Sequence, residues 1–248
     1  MSVCRQKEKT RLFLIILVLL ILKVQEKVVF PQTHGLGFYS YDVYKDLRTS
    51  LVLNPGRQFS LRNISELSFS LNLRPDETMY FGYVFRIISG DLNIDLIYNF
   101  YNSDSTYFTL VQGQELLMRM DSDFRSFCSD WTDFRFKFDT KNGLIQVIMS
   151  DTSLNINGLG LGKGDEIRIF FSLCDFGTYK TTDVPAMNIR DIRFSENGRV
   201  THFWPLDERT GDVVNDREGK CPGNRYNSQI HSFIERIIPS YLAKLNQE

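Results

Sequence analysis

Residues 187–216, MNIRDIRFSENGRVTHFWPLDERTGDVVND, read as a strand, a tight turn, a second strand ending in Trp204 and Pro205, and a polar exit. Alternating apolar and polar residues on either side of a turn make an antiparallel hairpin with one buried face. The stretch closes a β-rich region, because the sequence after it changes period.

Working back from it, the same period of two recurs. Leu67, Phe69, Leu71 and Leu73 alternate with Glu66, Ser68, Ser70 and Asn72. Leu92, Ile94, Leu96 and Tyr98 repeat the pattern, as do Phe134, Phe136 and Phe138, and Ile167, Ile169 and Phe171. Residues 80–89, YFGYVFRIIS, are apolar almost throughout, which predicts a strand covered on both sides. Arg74-Pro75-Asp76, Ser89-Gly90-Asp91 and Lys141-Asn142-Gly143 punctuate the runs. The Asn142-Gly143 pair predicts a type I′ hairpin joining Phe134–Asp139 to Leu144–Ser150. About a dozen strand candidates between residues 35 and 206, with no long helix, point to an all-β fold of two packed antiparallel sheets.

Composition agrees. The 248 residues suffice for one large sandwich, and 20 Phe with 11 Tyr suit half-buried pleated surfaces. Twenty-nine basic against thirty acidic residues give a formal charge of −1 without a long basic tract, so nucleic acid is not an expected partner.

The ends differ from the middle. Arg5, Lys7, Lys9 and Arg11 precede the apolar run Leu12–Leu22, about half the ~20 residues a membrane-spanning helix needs. Residues 1–24 are expected to be a signal peptide or N-terminal membrane anchor, placing the protein in the periplasm or at the cell surface. Membrane contact is expected only through this segment. No pair of small residues marks a cleavage site near Lys23–Glu26. At the other end, Ile230, Phe233, Ile234, Ile237, Tyr241, Leu242 and Leu245 recur at helical spacing. They predict an amphipathic helix over Ser228–Leu245, interrupted at Pro239. The expected organisation is a leader (1–24), a sandwich (28–220) and a tail (221–248).

Export would permit a disulfide. Cys128 with Cys174 is the first pair to test, and free or buried thiols are the alternative.

Chemistry-bearing motifs are scarce. Gly158-Leu-Gly-Leu-Gly-Lys-Gly164 has Asn157 where a phosphate loop needs its first glycine and Gly164 where it needs Ser or Thr, and a strand follows it, so it reads as an inter-strand loop. Retaining glycosidases need two carboxylates about 5 Å apart. Neither Glu115 nor Asp165-Glu166 begins the E-x-D-x-x-E strand that would supply them. His34, His202 and His231 are scattered, and no nucleophile elbow is present, so the chain is not expected to be an enzyme. No cofactor is expected. Asp91, Asp95, Asp121 and Asp123 are the possible Ca²⁺ donors, but they lack calcium-loop spacing and read as strand ends and turns. The stretch from Tyr98 to Tyr107, YNFYNSDSTY, mixes rings with amides and hydroxyls, so Tyr98, Tyr101 and Tyr107 are the candidate ligand contacts. Trp131 and Trp204 read as packing residues. Asn63-Ile-Ser65 fits a glycosylation sequon, which acts only in a eukaryotic secretory pathway.

The segments ISELSFSLNLR from Ile64, FGYVFRIIS from Phe81, WTDFRFKFDTKNGLIQV from Trp131 and the opening stretch together resemble laminin-G-like, concanavalin A-like domains of exported Bacteroidetes-type proteins, over about residues 55–220. The resemblance implies a jelly-roll sandwich acting as an accessory module, often before a Kelch-like propeller, in glycan or protein binding. Beyond Gly223 the chain departs from that pattern, which implies a truncated or independently evolved form. The resulting expectation is a non-catalytic recognition module of the cell envelope that binds a glycan or another envelope protein. A structural subunit or truncated accessory domain is the alternative, and a glycoside hydrolase ranks last.

Overall fold

The computed structural model divides the chain into two units, Met1–Thr33 and His34–Glu248. It describes residues 35–39, 48–74, 81–102, 105–208, 212–219 and 223–226, all in the second unit. The leader (1–24) and the tail helix Ser228–Leu245 lie outside the described residues.

The described residues form two large antiparallel sheets. The seven-stranded sheet runs β1 (Leu36–Phe38), β15 (Met187–Glu196), β4 (Ile64–Leu73), β9 (Thr132–Asp139), β10 (Leu144–Met149), β11 (Thr152–Asn157). β16 (Arg199–Trp204) shares the flank of β15 with β1. The nine-stranded sheet runs β17 (Val213–Val214), β18 (Gly223–Tyr226), β2 (Ser50–Leu53), β12 (Glu166–Ser172), β5 (Phe81–Ser89), β6 (Leu92–Asn102), β7 (Ser105–Gln112), β8 (Glu115–Ser122), with β3 (Phe59–Ser60) also on β12. Because Asn224 pairs with Val52 of β2, this sheet continues past the expected boundary at residue 220.

The predicted alternation makes the core. Leu67, Phe69 and Leu71 of β4 face inward with Phe134, Phe136 and Phe138 of β9. Aromatic contacts then tie the sheets together: Phe69 meets Phe171 at 5.3 Å, Phe136 meets Phe85 at 4.9 Å and Phe134 meets Phe108 at 5.2 Å. Each such ring, fully buried, contributes several kcal/mol, since Phe→Ala in a core costs about 3–5 kcal/mol. The opening stretch forms β15 and β16 as expected, and Trp204 is wholly buried, edge-on to Phe59.

A single helix, α1 (Phe124–Ser129), is present among the described residues. Asp123 caps its start by accepting from Arg125 N, and Asn72 Nδ2 donates to the carbonyls of Phe127, Cys128 and Asp130 at its end. Phe127 thereby enters the core.

The hairpin at Asn142-Gly143 is a four-residue loop rather than a type I′ turn. Leu144 pairs with Asp139, and of the loop residues Gly143 alone is left-handed, at φ +64°. The Asp139 carboxylate accepts from Lys141 N, Asn142 N and Asn142 Nδ2, which holds Asn142 out of the left-handed region.

The doubly covered strand is also explained. A hairpin of β13 (Cys174–Phe176) and β14 (Tyr179–Thr181) folds over the outer side of β5 and β12, burying Ile88 and Phe170 against Cys174. The Cys128–Cys174 disulfide is not formed: both thiols are free. Cys128 packs on the core side of the nine-stranded sheet and Cys174 on its outer side. Burial pushes both thiols up to about 11.

Candidate functional site

The outer face of the seven-stranded sheet is polar and carries a cleft of about 430 Å³. Inward-facing Leu67, Phe69 and Leu71 leave Ser68 and Ser70 of β4 pointing out, and β9 presents Asp133 and Arg135 beside them by the same alternation. Ile148 of β10, then Ser150 and Asp151 of the following turn, close one side. Arg193 and Trp131 close the other.

A bulge in β15 makes this arrangement possible. Arg190 pairs with Ser70 and Arg193 with Ser68, so two residues of β15 stand opposite one residue of β4. Asp191 absorbs the extra length at φ +55°, and its N–H donates to Pro205 O. Ile192 then turns into the core while Arg190 and Arg193 both face outward. Strict alternation would have pointed Arg193 inward. The phase shift is visible in the sequence, where the inward pair Met187 and Ile189 is followed by Ile192 and Phe194 three residues on. Each half of the strand alternates correctly by itself, which conceals the shift in any short window.

Electrostatics knit the face together. The Asp191 carboxylate lies 3.6 Å from Arg190 Nε and 3.7 Å from an Arg193 terminal nitrogen. Burial pushes this carboxyl above its ordinary range, against the pull of Arg193 and Arg190. Burial also lowers the Arg190 guanidinium, with Asp191, Asp133 and Asp130 opposing. Ser70 Oγ donates to Asp133 at 2.6 Å. Two guanidiniums lie over rings: Arg190 over Trp131 at 4.2 Å and Arg193 over Phe203 at 4.3 Å. Trp131 approaches β15 closely enough that a side chain at Gly35 would meet its ring at 2.8 Å, so glycine is required there.

The cleft thus offers hydroxyls, carboxylates and guanidiniums around a half-buried indole. That set can donate to and accept from vicinal hydroxyl groups while an aromatic surface meets C–H faces.

The sequence candidates lie elsewhere. Tyr98 is fully buried against Phe108, inside the core rather than on a surface, and its hydroxyl, raised by burial, has no hydrogen-bond partner among the described residues. Tyr107 is on the opposite face of the nine-stranded sheet, under Arg119 at 3.9 Å. The Tyr101 side chain lies outside the described residues. Trp131, read as a packing residue, is partly that, but it also lines the cleft.

The acidic residues considered for Ca²⁺ are dispersed. Asp95 is held by Arg86, Asp121 pairs with Arg119, and Asp123 caps α1. Among the described residues no group of three or more metal-ligating side chains forms a metal site. The glycine-rich segment is a loop between β11 and β12, fastened by Gln112, which donates to Gly158 O and accepts from Gly160 N. Of the histidines, His202 is described. Its Nδ1 lies 2.6 Å from Asp216, and its ring stacks on Trp204.

No family model and no curated protein matches the sequence. Solved structures do resemble the fold. A native heptameric SAP-like pentraxin from Limulus polyphemus superposes with a TM-score of 0.51 at 9% identity, covering 78% of this chain and 95% of its own. Domains LG4-5 of the mouse laminin alpha1 chain give 0.42 at 12% identity, over 73% and 46%. CG-16, a homodimeric agglutinin from chicken liver, gives 0.36 at 12% identity, over 59% and 99%. The fold is the concanavalin A-like jelly-roll sandwich. At these identities the likeness extends to the fold alone.

Proposed function

We propose that the protein is a non-catalytic recognition module that binds carbohydrate in the cleft on the outer face of its seven-stranded sheet. One observation carries this reading: Trp131 borders a cleft lined by Ser68, Ser70, Asp133 and Arg193, a combination of ring and hydroxyl-matching groups. The sequence adds that no paired-carboxylate motif accompanies it. The basic and apolar pattern of residues 1–24 supports export, with the domain held in the cell envelope by its leader or released from it.

The test is a glycan array with residues 28–248, followed by calorimetry on any hit. Trp131→Ala is expected to weaken binding by about 1.4 kcal/mol or more, roughly tenfold, at a temperature where circular dichroism shows the variant still folded. Silence across the array, or equal binding by the variant, refutes the reading.

A further inference from the structure

β11 ends the seven-stranded sheet as an open edge. It pairs with β10 over six regular positions without a bulge, and among the described residues no strand pairs with its other side. Thr152, Ser153, Leu154, Asn155 and Asn157 are exposed. Leu154 lies opposite Val147, on the core-facing side, yet it is 36% exposed whereas Val147 is 1% exposed. Among the described residues the sandwich is therefore left unsealed along this seam. Proteins ordinarily guard such an edge with Lys, Pro, a bulge or a very short strand, and β11 has none of these.

We propose that β11 pairs antiparallel with β11 of a second copy across a two-fold axis, joining two seven-stranded sheets into one. The sequence TSLNIN fits a symmetric partner. A two-fold axis sets a short strand against itself, so a lone charge at its centre would face its own copy and one nearby would lie close to it, and β11 carries no charge. Residues directly opposite in an antiparallel pair share a face, which restricts the register to residues of the same parity. Centring on Asn155 places Leu154 against the partner copy's Ile156 twice on the core-facing side, and Asn155 against itself on the outer side. Ser153 then faces Asn157. Centring on Leu154 would instead oppose Ile156 to Thr152 and lose one apolar match. A six-residue ladder buries less than the roughly 1,600 Å² of a standard interface, so the dimer is weak and concentration-dependent.

The test uses the full chain. Asn155→Cys should form an intermolecular disulfide on mild oxidation, since residues opposite each other lie within bonding reach about 4.5–5.5 Å apart. Ser153→Cys, two residues away on the same face and opposed to Asn157, should not rise above the parent chain and its native cysteines. Sedimentation should show a monomer–dimer equilibrium that Leu154→Lys shifts to monomer. A monomer at every concentration overturns the proposal. So does equal cross-linking at 153 and 155, or a dimer that Leu154→Lys leaves intact; the last two place association on another surface or another partner.

Discussion

Tyr98 carries a phenol into the core with no acceptor for its hydroxyl among the described residues, and a buried unsatisfied donor costs about 1–3 kcal/mol. Tyr98→Phe should therefore raise stability by about 1 kcal/mol in urea unfolding, and a drop would reveal a hydrogen bond made in solution. This placement was legible. Leu92, Ile94, Leu96 and Tyr98 share one strand face, and three of them are core residues by type, so the alternation outranked the aromatic clustering around it. Asp216 is the opposite case, a polar residue whose burial is satisfied. Burial works to raise its carboxyl, but donors from Phe203 N, Gly219 N and His202 outweigh this and hold it below the ordinary carboxylate range. A depressed folded value stabilises above the unfolded pKa of about 3.9 and loses that contribution as the pH falls through the folded value. Asp216→Asn should cost about 2 kcal/mol at neutral pH, and its gap from the parent should close as the pH falls below about 4. A gap independent of pH would assign the effect to shape alone. The His202–Asp216 pairing was not legible, because the two stand fourteen positions apart with no periodic pattern linking them.

At the scale of elements, β5 and β6 carry a charged pair under the β13–β14 hairpin. Arg86 donates bidentately to Asp95 at 2.6 Å on both arms, with side chains 8% and 5% exposed, and Asn93 adds a third donor. Arg86 also lies over the rings of Tyr83 and Tyr179. Removing one partner leaves the other charge buried, so Arg86→Met alone should cost about 3–5 kcal/mol. The double variant Arg86→Met with Asp95→Leu should recover most of that loss, as read by denaturant midpoints. Failure to recover would mean that the pair positions the hairpin rather than merely neutralising itself. The run 80–89, apolar almost throughout, announced a doubly covered strand, and the structure supplies the cover. It could not announce which segment folds over it, because Cys174–Thr181 contacts β5 across nearly ninety residues of chain, an order set by topology and not by local pattern. Bulges obey the same limit: the phase shift at Asp191 is written in β15, but which face gains Arg193 depends on the pairing with β4.

At the scale of the whole molecule, the sandwich was legible because alternation, turns and aromatic content all demanded two packed sheets. The cleft was not, since its side chains come from β4, β9, β15 and the turn after β10, more than a hundred residues apart, and each reads singly as an ordinary solvated strand residue. The two proposals meet here. The cleft lies on the same outer face that β11 borders, so joining two copies at β11 would set two clefts on one continuous surface. Simultaneous engagement of a dense glycan surface makes the second binding event intramolecular, and avidity of that kind exceeds single-site affinity by about 10²–10⁴. Leu154→Lys should therefore bind a glycan-coated surface about a hundredfold more weakly than the parent while its affinity for the free monovalent sugar is unchanged. The mutated side chain lies outside the cleft lining, so a matching loss for the free sugar would show that β11 shapes the cleft itself. Equal retention on the surface would mean that the two clefts, though joined, face geometries that one ligand array cannot span.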